Sequence, residues 1–133
     1  MVKPLVCSLL VVMTPLLYIT YEKDMMLLSG LLLAMIFVGY EHHNNFCKND
    51  VWHKVDKCLC WVLIVYTAIL NMMYYKRCVY WVCLIVVGMC YYVELLYCDN
   101  QENEKRNWTN VYQLIPHAMI HIATGVGISK MLN

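Results

Sequence analysis

Ile115-Pro-His-Ala-Met-Ile-His-Ile-Ala-Thr-Gly125 decides how this chain folds and where its chemistry sits. The stretch lies inside an apolar run from about Asn110 to Met131, long enough to cross the ~30 Å hydrocarbon core of a bilayer as a helix rising ~1.5 Å per residue. On such a helix His117 and His121 stand four residues apart. Both rings then project from one face, with Cβ atoms about 5–6 Å apart, near enough to share one metal ion. Titratable rings in hydrocarbon are costly unless they find partners, which makes an intramembrane pair a candidate functional site. The ordinary reading is two rings that hydrogen-bond to neighbouring helices and hold a bundle together.

The rest of the chain has the same character. Of its 133 residues 62% are hydrophobic and 14% charged, with few glycines and prolines and a formal net charge of +1, a balance that suits neither a soluble nor a disordered chain. Charges gather in short islands between long apolar runs, the pattern of an all-α, multi-pass integral membrane protein. Without a basic stripe there is no reason to invoke nucleic acid. The eight cysteines include no CxxC pair, and Cys78, Cys83 and Cys90 fall inside one apolar run, so most read as reduced thiols packed in helices. Cys47, Cys58, Cys60 and Cys98 lie near polar segments, where a disulfide requires an oxidising compartment.

Five apolar runs stand out: about Pro4 to Thr20, Met25 to Tyr40, Cys58 to Tyr75, Cys78 to Tyr97 and Asn110 to Met131. Each approaches the ~20 residues of a transmembrane helix, and the second must continue through Glu41, His42 and His43 to span. The first resembles a signal sequence but lacks a small-x-small cleavage site and reads as a retained anchor. Tyr18, Tyr40, Tyr74, Tyr75, Tyr97, Trp108 and Tyr112 mark run ends, where amphipathic rings favour the headgroup level. No internal repeat or low-complexity linker divides residues 1–133, which read as a single helical domain.

Five crossings put the N-terminus, Glu41–Lys57 and Asp99–Asn107 on one side, and Glu22–Asp24, Lys76–Arg77 and the C-terminus on the other. The first side carries Lys3, Lys48, Lys54, Lys57, Lys105 and Arg106, the second Lys23, Lys76, Arg77 and Lys130, a slight excess that leans towards a cytoplasmic first side. Asn107-Trp-Thr109 on that side has the form of a glycosylation sequon, a tripeptide common by chance.

The unusual polar residues converge on that first side. Glu41, His42 and His43 end the second run, Asp56 stands just before the third, Glu94 is near the end of the fourth, and His117 and His121 enter with the fifth. Three neutral imidazoles that leave one position open form the ligand set of a catalytic zinc. A nearby carboxylate such as Asp56 is suited to accept a proton from the water activated there. Each residue also has an ordinary reading. His42 and His43 sit at a helix end where polar residues are normal. Asp56, between Lys54 and Lys57, suits an interfacial charge pair, Glu94 suits snorkelling or a bond to a neighbouring helix, and Pro116 suits a simple kink.

These residues resemble the CREST-type superfamily of membrane metal-hydrolases, which includes alkaline ceramidases, progestin and adipoQ receptors and haemolysin-III-like proteins. Its pattern is Ser-x3-His on an early helix, Asp at the start of the next, and His-x3-His on the last. Here His117-Ala-Met-Ile-His121 matches the last element, Asp56 the Asp, and His43 the early histidine, with His42 the alternative. The match covers Gly39–Tyr75 and Val111–Leu132, while the first and fourth runs match only as apolar spans. The resemblance implies zinc held by His43, His117 and His121, with Asp56 assisting the water. Two departures accompany it. Gly39 stands where the family has its serine if His43 is the ligand, and Val38 if His42 is. The family core has seven helices against the five runs here, which implies a smaller lipid cavity or one completed by another copy of the chain.

Three functional readings follow. The first is a zinc-dependent intramembrane hydrolase of a lipid amide or ester, with lipid as substrate or bound ligand. The second is a non-catalytic zinc-containing scaffold, receptor or channel component. The third, histidines paired across helices as axial ligands of haem, sits poorly with a carboxylate at the site.

Overall fold

The computed structural model describes residues 4–44, 51–98 and 111–133. They form five helices: α1 (Pro4–Glu22), α2 (Met26–Asn44), α3 (Val51–Leu70), α4 (Cys78–Cys98) and α5 (Val111–Leu132), with a π-helical turn at Asn71–Tyr75 continuing α3. The expected runs thus correspond to helices, with one correction. The third helix does not begin after Asp56 but at Val51, so Asp56 lies in its second turn. The island around Lys54 and Lys57 masks this extension in the sequence. Trp52 anchors it, meeting Phe37 of α2 edge to face with ring centroids 5.9 Å apart. The sequon Asn107–Thr109, Cys47, Lys3, Lys48, Lys105 and Arg106 lie outside the described residues, while Cys58 and Cys60 are free thiols.

Among the described residues, four helical segments are long and apolar enough to cross a membrane: Pro4–Glu22, Met26–His43, Lys54–Tyr75 and Cys78–Leu96. Helix α5 has the length, at 22 residues, but its histidines, Thr124, Ser129 and Lys130 lower its hydropathy. Packing accounts for that polarity. Helix α5 lies between α1 and α4, α1 continues to α2, and α2 to α3, so the order across the bundle is α4, α5, α1, α2, α3. Leu9, Met13 and Leu16 of α1, Leu28, Leu32 and Met35 of α2, Leu63 of α3 and Ile128 and Met131 of α5 form the buried core. Large apolar side chains such as Val11, Leu33, Phe37, Trp61, Ile85 and Met89 are exposed on the outside. An apolar exterior of this kind suits a bilayer rather than water.

Polar groups fasten the end opposite the histidines. Helix α1 ends at Glu22, and the turn beyond it passes through Asp24, whose φ of 54° lies in the left-handed region that Asp tolerates. Ser29 Oγ of α2 then donates to Thr20 Oγ1 of α1 at 2.9 Å. At the α3–α4 turn, Lys76 is left-handed with φ 51°. The buried Asn71 side chain clamps this turn, accepting from the Arg77 N–H at 3.0 Å and donating to the Arg77 carbonyl at 3.2 Å. Thr67 and Tyr80 hydroxyls, 2.8 Å apart, join α3 to α4 just beyond. Arg77 Nη2 donates to the carbonyl of Asn133 at 3.3 Å, so the C-terminus of α5 reaches the same end. From there α3 and α4 part towards the histidine end and leave a cleft between them.

Candidate metal centre

His43 is in the last turn of α2, and His117 and His121 stand one turn apart on α5. One ring nitrogen from each lies within 4.8 Å of the others. The ring centroids are 4.9 Å apart for His43 and His117, 5.4 Å for His43 and His121, and 5.0 Å for His117 and His121. Steeply inclined to one another, the rings converge edge-on rather than stacking. His43 is 1% exposed and His121 7%, while His117 is partly buried and faces the cleft described below.

The donor set fits a divalent ion with an open position. Three imidazole nitrogens converging on one point are a donor set that zinc takes, and His43, His117 and His121 would hold it. Buried neutral imidazole is the protonation state that such a bond requires. His42, the alternative at the end of α2, is buried beside His43 at a ring distance of 5.0 Å and lines the neighbouring cleft, but is not part of the converging trio.

Two outer contacts hold the α5 rings. Glu94 of α4 places Oε2 3.0 Å from His117 Nδ1 and is only 3% exposed. Ser8 of α1 places Oγ 3.0 Å from His121 Nδ1 while donating to the carbonyl of Leu5 at 2.9 Å. Reading Glu94 as a bond to a neighbouring helix therefore agrees with the structure. Ser8 goes unnoticed in the sequence because one serine in an apolar helix has no periodic or motif signal.

Gly39 also acquires a structural reason. A Cβ built there would lie 2.7 Å from Leu9 Cδ2, so the missing side chain makes room for α1, with Leu9 against α2 and the adjacent Ser8 against His121. The end of the Leu9 side chain occupies the space that a Cβ at position 39 would need.

Asp56 is 9% exposed and lines a cleft of about 310 Å³ whose wall also includes His117, Glu94, Trp61, Gly88 and Tyr91. The cleft runs between α3 and α4 and reaches α5 and His42. A space of this size is at the lower end of small-molecule pockets, mostly apolar with a few polar groups at one end. The four expected site residues are thus brought to one end of the bundle, three as a converging trio and Asp56 on the wall of the cleft that His117 also lines. No family model, curated protein or solved structure matches the chain, so the resemblance to membrane metal-hydrolases rests on the spacing and order of these residues.

Proposed function

We propose that this protein is an integral-membrane, zinc-dependent hydrolase that cleaves an amide or ester of a lipid. The observation that supports this reading best is the buried trio His43, His117 and His121 beside an apolar cleft with Asp56 on its wall. In this reading the three imidazoles hold zinc, which supplies a nucleophilic water at neutral pH. Asp56, on the cleft wall that His117 shares, would be the carboxylate that accepts a proton. The cleft between α3 and α4 takes an acyl chain from the bilayer and aligns its head with the trio, while the buried helical ends exclude bulk water. A second copy of the chain covering the open side would enlarge this small cavity.

Haem is a poorer fit. Axial histidines must face each other across a macrocycle, whereas His43 and His117 are inclined by 88° with centroids only 4.9 Å apart. The replacement of the family's serine by Gly39 supports one other reading, a zinc-holding receptor, scaffold or channel component without turnover. The two are separated by assaying purified, zinc-loaded protein on ceramide-like amides and phospholipid esters. Release of free fatty acid that depends on the trio supports the hydrolase, and zinc-replete protein without turnover supports the alternative.

A further inference from the structure

Both histidines of α5 use the same ring atom for an outer contact. His117 Nδ1 faces Glu94 Oε2 at 3.0 Å, and His121 Nδ1 faces Ser8 Oγ at 3.0 Å. Where Glu94 carries its charge it can only accept, and the proton shared with His117 then sits on Nδ1 of the imidazole. The Ser8 hydroxyl has one proton, already directed at the Leu5 carbonyl at 2.9 Å. With the proton so directed, its oxygen is left to accept, and the partner it can accept from is an Nδ1–H of His121. With Nδ1 protonated in each ring, Nε2 carries the lone pair.

We propose that Glu94 and Ser8 are positioning residues that fix His117 and His121 as Nδ1–H tautomers, so that both rings present Nε2 to one metal ion. The inference rests on the metal-binding part of the proposed function and is independent of whether a lipid is turned over. The device spans three helices: α4 holds the first ring of the His-x3-His pair, α1 holds the second, and α5 carries both. The two contacts differ in strength. Glu94 brings a charge-assisted bond and lowers the cost of placing a divalent cation beside buried rings. Ser8 brings a neutral bond that fixes ring orientation. In this arrangement α1 supplies a hydroxyl to the outer side of the trio, a different task from the water contact that the family's serine performs.

The test combines zinc affinity, measured by competition against a calibrated chelator in full-length protein, with ¹⁵N NMR of histidine-labelled wild type. Glu94→Ala should weaken zinc binding by about 10–100-fold and Glu94→Gln by less, because the amide oxygen still accepts from Nδ1–H. Ser8→Ala should cost about 2–10-fold. In metal-free wild type above pH 8, the ¹⁵N pattern should show Nδ1–H for both residues, with zinc shifting Nε2. This reading needs no variant to fold. Zinc-binding wild type with unaltered affinity in Glu94→Ala and Ser8→Ala, or with the proton on Nε2 of His117, overturns the inference alone. Wild type that binds no zinc overturns it together with the proposed function. Tautomer and affinity results as expected, but without lipid hydrolysis, uphold the inference and remove only the enzymatic reading.

Discussion

Asp56→Asn separates chemistry from architecture. The replacement keeps the shape of a side chain that is 9% exposed on the cleft wall, and keeps a group able to hydrogen-bond, but removes the carboxylate that would accept a proton. Asp56 lies in the second turn of α3, beyond the first turn where a negative charge is most favourable to the helix dipole, so the stability cost from that source should stay below about 1 kcal/mol. The trio residues themselves are not substituted, and zinc should remain bound. Loss of a general base typically costs about 10²–10⁴ in rate, which corresponds to roughly 3–5 kcal/mol of transition-state stabilisation. The effect should therefore fall on kcat at matched zinc occupancy, with thermal stability nearly unaltered. The assay follows fatty-acid release from ceramide-like and phospholipid substrates by both forms in the same lipid environment. Equal kcat in wild type and Asp56→Asn would refute the role of this carboxylate, and loss of zinc along with activity would recast it as part of the metal site.

Other consequences concern the cleft, the packing and the topology. A Cβ at Gly88 would meet nothing within 4 Å, so Gly88→Phe should fold normally and fill much of the cleft; long-chain substrates should lose kcat/KM far more than short-chain ones while zinc content is unaltered, and equal losses for all chain lengths would place the acyl chain elsewhere. Gly39→Ser should not add activity, because Leu9 occupies the space; overpacking should lower stability by about 1–3 kcal/mol, read from thermal unfolding, and a gain in turnover with unaltered stability would contradict that packing. If all five helices cross, cysteines introduced at Asn49 and Asn103, with native loop cysteines removed, should label from one face of the membrane and Lys130→Cys from the other, whereas labelling of positions 49 and 130 from the same face would rule out five crossings.

The helices are legible in the sequence because each is a long apolar run, and a bilayer leaves a buried chain few options besides helix. The His-x3-His pair is legible because four-residue spacing fixes a common face. What escapes the sequence depends on contacts between helices. Val51–Lys57 carries enough charge to look like a connection, and only its packing, with Trp52 against Phe37, explains why it continues as helix. Ser8 and Glu94 are single polar residues in apolar helices, and their pairing with His121 and His117 depends on α1 and α4 flanking α5. Gly39 departs from a motif in the sequence, while the reason, the Leu9 side chain, lies thirty positions away on another helix.

The central claim, that His43, His117 and His121 form a metal centre, is tested most directly by elemental analysis of purified full-length protein and of His117→Ala/His121→Ala, each dialysed against zinc-buffered solution. The account predicts close to one zinc per chain in wild type at pH 7.5 and none in the double variant. Stoichiometric zinc retained by the double variant, or wild type without bound metal, would contradict it.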